Sequence, residues 1–309
     1  MSDLVGIFGT VLFAEQLSAR WTFLVLLGLA FAITYRVRYV NLGISAQLIA
    51  GAYSACAITS YIPSWSIALL AAFSVVAAVG WFPAYLKSKF QANEILSTLF
   101  LTYVVISLGQ FIMLPSGGEL IVASPHVVAN AIPDWLIPFD RFKSLTWFHL
   151  LAIPSVIFYS FLPFSVFGYK TRVAGCNSLA LKENEVAKIL LASTIISSIF
   201  ITLALMGDTY VTKARYVSHE YDATGFLGIA VALMAIGLEG PAGKFFKDKS
   251  LEIRLLMQRT LSIIVAAFIV AIIEVLFRYL SVIYSFPARM AFVVFGVWLL
   301  LAAWALKRE

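Results

Sequence analysis

The sequence is short of charged residues and of the side chains that build catalytic or metal sites. Only 12% of its 309 residues are charged, against about 25% in a typical soluble domain. Two cysteines, Cys56 and Cys176, and three scattered histidines give no spacing typical of a disulfide framework or a metal site. Neither an HExxH motif nor a GxSxG turn occurs. These absences predict a non-catalytic chain that holds no metal and no cofactor.

The stretch Gly237–Phe246 superficially resembles a phosphate-binding loop but lacks two of its required residues. The pattern GxxxxGK[ST] needs glycine where Leu238 stands and a hydroxyl where Phe245 stands. ATP hydrolysis is therefore not predicted for this chain.

Apolar residues dominate instead, and they come in long continuous runs. The chain is 61% hydrophobic with a mean hydropathy of +0.94. Several runs approach the roughly 20 residues that cross a bilayer, and they do not alternate as the strands of a membrane barrel do. We predict an all-α polytopic membrane protein, a single transmembrane domain over 1–309 with about 8–9 transmembrane helices.

Eight spans are predicted, after a short interfacial helix at 4–14: 21–35, 43–62, 64–86, 94–113, 147–168, 187–206, 260–280 and 288–305. The apolar piece 225–237 is short for a crossing. Two interpretations remain open there: a broken or re-entrant segment buried among its neighbours, or a full helix that extends through Phe246.

Basic residues next to the spans indicate orientation rather than nucleic-acid binding. They cluster around 36–38, 87–89, 170–182, 244–259 and 307–308. The polar segment 171–186 is therefore predicted to be cytoplasmic, and the loops 114–146 and 207–224 to be extracytoplasmic. These clusters set the orientation of a multi-pass protein in its membrane.

Polar side chains inside the spans are the candidates for function. The fourth span carries Ser97, Thr98, Thr102 and Ser107, and the second carries Gln47. Hydrogen bonding between helices and contact with a substrate both explain them. Glu274 and Arg278 are spaced i,i+4 with the acid first, which favours an intrahelical pair over a proton relay.

Four segments resemble one family, the permease subunits of bacterial ABC importers of the branched-chain amino acid and simple-sugar type. VNLGISAQ (40–47) is similar to the family's VNIGIEGQ, and NEILSTLFLTY (93–103) to NEVISTLMLNY. GFLGIAVALMA (225–235) is similar to GFDGIAVALLG, and RVAGCNSLALKENEV (172–186) to RAVGENPEAARYAGI. The segments occur in the family's order, from about 40 to 235.

The departures from these patterns concern polarity. Ser45 and Ala46 stand where the family has glutamate and glycine, Thr102 replaces asparagine, and Leu227 replaces aspartate. If these positions face the translocation path, the path is less polar than that of a sugar permease. A flatter, more aromatic substrate that stacks on side chains, such as riboflavin or a purine nucleoside, then becomes a candidate beside a simple sugar.

The resemblance implies a multi-pass permease of the bacterial cytoplasmic (inner) membrane that forms half of the path of an ATP-driven importer. Its partners would be two ABC ATPase subunits, a second permease, a substrate-binding protein or lipoprotein, and membrane lipid, with no nucleic acid. The substrate path is predicted at Gln47, Ser97, Thr98, Thr102, Ser107 and Leu227. ATPase coupling is predicted at Arg172, Gly175, Asn177, Ala180 and Lys182, with Asn177 capping a helix near Ser178; a solvated connector is the alternative for this segment.

A second function class stays open at this point. A proton-coupled secondary transporter would work without an ATPase and would use Glu94 or Glu274 as its titrating carboxylate. The two classes differ in energy source, which a transport measurement separates.

Overall fold

The computed structural model describes residues 11–62, 64–113, 119–121, 147–177, 180–209, 215–217, 221–222, 224–245, 251–284 and 296. Within these ranges the chain forms nine α-helices. They are α1 (Val11–Tyr35), α2 (Ile44–Tyr61), α3 (Trp65–Phe90), α4 (Glu94–Met113), α5 (Trp147–Phe161), α6 (Val166–Cys176), α7 (Glu183–Met206), α8 (Thr224–Phe245) and α9 (Leu251–Tyr284). This is the predicted all-α membrane architecture.

Four of the described helices are long and apolar enough to cross a membrane: Gln16–Tyr35, Trp65–Phe90, Glu183–Thr209 and Gln258–Ser281. Shorter apolar helices occupy Ile44–Thr59, Glu94–Gly109 and Thr224–Glu239. These helices follow the predicted spans closely, although 11–14 belong to α1 rather than to a separate interfacial helix. Residues 1–10 and most of the predicted span 288–305 lie outside the described residues.

The centre of the bundle is α1, which packs against α5, α7, α8 and α9. Its side chains from Phe23 to Leu29 are almost entirely buried, because an unbroken apolar sequence has no face that needs water. The second helix, α2, extends this core by packing against α3, α4, α7 and α8.

The sharp bend of the bundle lies between α5 and α6, where two helical pieces meet at 69°. Pro163 stands in the short 3₁₀ turn Leu162–Phe164. Ser165 begins α6, and its hydroxyl accepts a hydrogen bond from Gly168 N at 3.0 Å, as an N-cap does. The predicted span 147–168 is therefore a helix followed by a change of direction.

The segment 225–237 is not broken, which corrects one of the two interpretations of the sequence. It belongs to the continuous helix α8. Its glycines serve close packing: a Cβ at Gly225 would lie 2.5 Å from Ser45 N, and one at Gly228 would lie 2.7 Å from Leu27 Cβ. Gly225 and Gly228 let α8 approach α2 and α1 closely.

Two three-residue strands connect the predicted extracytoplasmic loops. β1 (Glu119–Ile121) pairs antiparallel with β2 (Arg215–Val217), with Leu120 opposite Tyr216. Both strands contact α2. The loops 114–146 and 207–224 therefore meet on the same side of the bundle, as the predicted topology requires.

Candidate functional site

Gln47 lies at the centre of a buried hydrogen-bond network that joins three helices. Its Nε2 donates to Val76 O at 3.1 Å and to Ser198 Oγ at 3.2 Å. Its Oε1 accepts from Asn41 Nδ2 at 2.9 Å. A Cβ at Gly80 would overlap with the Gln47 amide. The amide therefore connects α2 to α3 and α7, and every polar group that it offers is engaged within the chain.

Thr98 and Thr102 attach α4 to the turn before α2. Thr98 Oγ1 donates to Glu94 O at 2.6 Å and accepts from Leu42 N at 3.3 Å. Thr102 Oγ1 donates to Thr98 O at 2.9 Å, and both threonines are buried. Backbone groups inside a membrane need such partners. The structure thus brings Gln47, Thr98 and Thr102 into one region that holds helices together.

The opposite side of α4 faces away from the rest of the chain. Ser107 is exposed there, and so are Phe100 (70%), Tyr103 (62%) and Phe111 (73%). Spacings of three and four residues place these side chains along one helix face. Of the residues predicted for the substrate path, Ser107 alone lies fully on this surface. Ser97 is half-buried, with its hydroxyl donating to Glu94 O at 3.2 Å.

Leu227 is buried at 1% exposure in the core around α1 and α2. Beside it, Gly225 N donates to Ser45 Oγ at 3.0 Å. The structure therefore places Leu227 in packing between helices, away from the exposed face of α4. The family's carboxylate would need a buried partner at this position, so leucine fits the environment that the chain provides.

The predicted coupling residues lie at the junction of α6 and α7, and most of them are exposed. Arg172, Asn177, Ala180 and Lys182 are at the surface. Gly175 is buried, and a Cβ there would overlap with the carbonyl oxygen of Arg36. This close contact fixes α6 against the end of α1, while Arg172 and Lys182 keep their side chains exposed.

Asn177, the predicted cap of a helix near Ser178, lies directly after the last residue of α6. Asn177 ends α6, and its backbone N–H donates to Val173 O at 2.8 Å. Its carbonyl accepts from Ala180 N at 3.1 Å, and α7 begins after Lys182. Ser178, where the capped helix was predicted to begin, lies outside the described residues.

A cluster of paired charges, which sequence reasoning found only in part, surrounds Arg20. We call Arg20, Asp208, Tyr221, Glu274 and Arg278 the paired cluster. Arg20 Nε lies 2.6 Å from Glu274 Oε2, and Arg278 Nη2 lies 2.9 Å from Glu274 Oε1. Tyr221 donates to Asp208 at 2.6 Å, and Asp208 acts electrostatically on Arg20. The predicted Glu274–Arg278 pair is confirmed, and Arg20 joins it from α1.

The other candidate proton carrier, Glu94, is also paired. Its Oε1 lies 2.9 Å from Lys87 Nζ, and the same ammonium lies 5.5 Å from the ring of Tyr39. Burial, with a smaller contribution from the charge of Glu94, raises the pKa of Tyr39, so its hydroxyl stays protonated at physiological pH. Both carboxylates that a proton-coupled mechanism would use therefore hold structural ion pairs.

A third group of charges lies at the end of the bundle where α1 finishes. We call Arg36, Arg172, Arg259, Glu239 and Tyr159 the arginine cluster. Arg36 places its guanidinium 4.5 Å from the ring centroid of Tyr159. Arg259 Nε lies 4.0 Å from Glu239 Oε1, and both Arg36 and Arg172 act electrostatically on Arg259. Lys87 Nζ also donates to Arg38 O at this end, at 3.0 Å.

The buried polar groups and the charge distribution together indicate the class of protein. The described residues contain no group of His, Cys, Asp and Glu placed to hold a metal ion. Their buried polar groups join helices to one another, and basic side chains gather at one end, as in a helical membrane transport protein.

Comparison with known proteins gives the family. The family described as branched-chain amino acid transport system, permease component, matches residues 13–303, and the chain belongs to it. The guanosine ABC transporter permease protein NupP of Bacillus subtilis (strain 168) is 25% identical over 240 residues, which cover 74% of this chain and 69% of that protein.

A second relative is also a permease by name. The nucleoside ABC transporter permease protein NupB of Lactococcus lactis subsp. cremoris (strain MG1363) is 25% identical over 244 residues, covering 72% of this chain and 66% of that protein. The chain thus spans about two thirds of the length of these relatives. No solved structure gives a significant match. The chain is a multi-pass permease component, which agrees with the importer interpretation and not with the stand-alone transporter.

Proposed function

We propose that this chain forms half of the membrane path of an ATP-driven importer for nucleosides. The observation that carries the proposal is the exposed face of α4. Phe100, Tyr103 and Phe111 present aromatic rings there, and Ser107 presents a hydroxyl among them. Aromatic rings stack on nucleobases, and hydroxyls suit a ribose. Two relatives named as guanosine and nucleoside permeases support the same substrate class.

The exposed face of α4 needs a second wall to enclose a path. A second permease, homologous or identical, supplies that wall in the proposal. Gln47, Thr98, Thr102 and Leu227 then act by holding α2, α4 and α8 in position, because each of them is buried within the chain. Ser97 and Ser107 remain the hydroxyls closest to the passing substrate.

Two ATPase subunits dock at the basic end in this proposal. The positive-inside rule assigns that end to the cytoplasm, and the exposed side chains of Arg172, Asn177 and Lys182 lie there. Because Gly175 fixes α6 against α1, a push on this segment reaches the central helix. The substrate-binding protein docks at the other side, where β1 and β2 join the two loops.

Nucleoside uptake tests the substrate. Cells that express the chain with its importer partners are given labelled guanosine, and Tyr103→Leu is compared with wild type. We expect the KM to rise about tenfold, since stacking on one aromatic ring is worth about 1–3 kcal/mol. Tyr103→Phe keeps the ring and retains uptake. Ser74→Ala, which alters an exposed serine on α3, is the control.

Competition decides between nucleosides and riboflavin. Unlabelled inosine is expected to block guanosine uptake, whereas riboflavin at the same concentration leaves it unchanged. Transport of riboflavin but not of guanosine contradicts the proposed substrate.

Charge reversal tests the docking segment. Arg172→Glu with Lys182→Glu is expected to abolish co-purification of the ATPase and to stop uptake, while Glu183→Gln at the start of α7 serves as an exposed control. If the reversed variant keeps its ATPase and transports normally, the segment is only a solvated connector.

A further inference from the structure

The arginine cluster carries more positive charge than its described neighbours neutralise. Arg36 directly follows the last residue of α1, while Arg172 lies in α6 and Arg259 in α9. Among the described residues, Glu239 is the only carboxylate that acts on Arg259, and it lies at 4.0 Å. Three guanidiniums against one carboxylate leave a local excess of two positive charges. Like charges held close together repel one another, so the cluster favours an anion.

Arg36 adds a second, independent observation. Its Nη2 is buried and has no hydrogen-bond partner among the residues that the structure describes, although guanidinium N–H groups normally find acceptors. The same guanidinium lies over the ring of Tyr159, which favours its charge but accepts no conventional hydrogen bond. The fork of an arginine matches the paired oxygens of a phosphate. The missing acceptor therefore has the chemistry of a phosphate group.

The surface next to the cluster is apolar, and this feature favours a lipid over a soluble anion. Phe161 is 59% exposed, Phe164 is 49% exposed and Val166 is 75% exposed. All three lie at the bend between α5 and α6, beside the helix that carries Arg172. A phospholipid uses both surfaces at once, with its phosphate on the arginines and its acyl chains on the apolar bend. Basic pockets between transmembrane helices bind anionic headgroups in this way.

We infer that Arg36, Arg172 and Arg259 form a site for the headgroup phosphate of an anionic phospholipid, with the acyl chains along Phe161, Phe164 and Val166. The lipid neutralises the cluster and ties the end of α1 to α6 and α9. This site lies on the same segment as the proposed ATPase contact, but it does not depend on the transported substrate.

Lipid retention by the purified chain tests the site. Phosphatidylglycerol, which carries one net negative charge, is titrated into detergent-solubilised protein against phosphatidylcholine, which carries none, and bound lipid is counted by native mass spectrometry. Wild type is expected to prefer phosphatidylglycerol. Arg36→Gln with Arg259→Gln is expected to lower that affinity about 30-fold, which corresponds to about 1 kcal/mol for each arginine.

Single variants keep the test valid if the double variant does not fold. Arg36→Gln and Arg259→Gln are each expected to lower the affinity about fivefold. Arg38→Gln removes the same charge from an exposed residue of this end and is expected to leave lipid retention unchanged. If Arg38→Gln lowers the affinity for phosphatidylglycerol as much, the loss comes from general surface charge and the proposed site is wrong.

Two further measurements distinguish a lipid phosphate from other occupants of the arginine cluster. Inorganic phosphate is expected to leave the thermal stability of the chain unchanged at concentrations where phosphatidylglycerol raises it. An equal rise with phosphate alone contradicts a lipid site. If the double variant keeps its phosphatidylglycerol but loses the ATPase in co-purification, the arginines serve the partner protein and the lipid proposal is wrong.

Discussion

The two large charge clusters of this chain differ in how completely their charges are matched. In the paired cluster, two arginines meet two carboxylates, and Arg20 and Glu274 are each only 7% exposed. In the arginine cluster, Glu239 pairs with Arg259 and also acts on Arg36, and no second carboxylate joins them among the described residues. The side chains of Arg259 and Glu239 are 26% and 35% exposed. Arg20 lies in α1 and Arg36 directly follows the last residue of that helix, so the two are separated by about 24 Å at 1.5 Å per residue.

This difference separates a structural role from a binding role. Charges inside a membrane are costly unless paired, and the paired cluster satisfies its members within the chain. It therefore belongs to the fold and leaves no carboxylate free for proton coupling. The arginine cluster is incomplete within the described chain, and it lies at the end where cytoplasmic partners and lipid headgroups are available.

The largest expected effect comes from breaking the paired cluster. Glu274→Ala leaves Arg20 buried without its closest partner and is expected to lower the free energy of unfolding by about 3–5 kcal/mol. Thermal unfolding in detergent measures the loss. Arg278→Gln is the matched control, since the Arg278 side chain is 48% exposed and its pair is worth at most about 1 kcal/mol.

Removing both partners sharpens this test. Arg20→Met with Glu274→Leu replaces the pair by apolar side chains and is expected to recover most of the stability. A double variant as unstable as Glu274→Ala contradicts the view that an unpaired charge causes the loss.

Packing, rather than charge, is expected to stabilise the basic end. Gly175→Ala places a methyl group against the Arg36 carbonyl and is expected to cost about 1–3 kcal/mol, measured by thermal unfolding of the same preparation. At Gly237 a Cβ has nothing within 4 Å, so Gly237→Ala is expected to keep wild-type stability. Equal stability of the two variants rules out the proposed contact between α6 and α1.

A smaller effect is expected from one hydroxyl in the paired cluster. Tyr221→Phe removes the hydrogen bond to Asp208 but keeps the ring, which lies 6.4 Å from the Phe23 ring. We expect a loss of about 1 kcal/mol, seen as a lower denaturation midpoint with the slope unchanged. No loss in Tyr221→Phe contradicts a structural role for this bond.

The smallest effect is expected in the arginine cluster. Arg172→Gln removes an exposed charge from an already positive region, and in detergent without added lipid the stability is expected to stay within about 0.5 kcal/mol of wild type. With phosphatidylglycerol present, the variant is expected to gain less stability than wild type. A large loss in the absence of lipid makes Arg172 a structural residue like Arg20.

The sequence predicted the helices well but not the partners of its charged residues. Long apolar runs predicted the membrane-spanning helices directly, and the i,i+4 spacing of Glu274 and Arg278 predicted an ion pair. Arg20 was missed because it directly precedes the predicted span 21–35 and was therefore not counted among the polar residues inside the membrane. Its partner is 254 residues away in the chain, and no local pattern reports such a distance.

The candidate site shows the same limit of prediction from sequence, since the contacts of a residue are not visible there. Gln47, Thr98 and Thr102 were selected as polar residues in apolar helices, but the pattern does not distinguish a substrate path from a contact between helices. Burial makes that distinction: their hydrogen bonds join helices, whereas Ser107 lies on an exposed face. The short length of 225–237 left a break open as one interpretation, whereas the structure has a continuous helix there whose glycines permit close packing.

The energy source is the central claim, and proteoliposomes test it directly. The chain is reconstituted with its ATPase, second permease and binding protein, and guanosine accumulation is followed with ATP alone and with a proton gradient alone. Because Glu94 and Glu274 are both held in ion pairs, we expect accumulation with ATP and none with the gradient. Accumulation driven by the gradient in liposomes that contain only this chain would contradict the account.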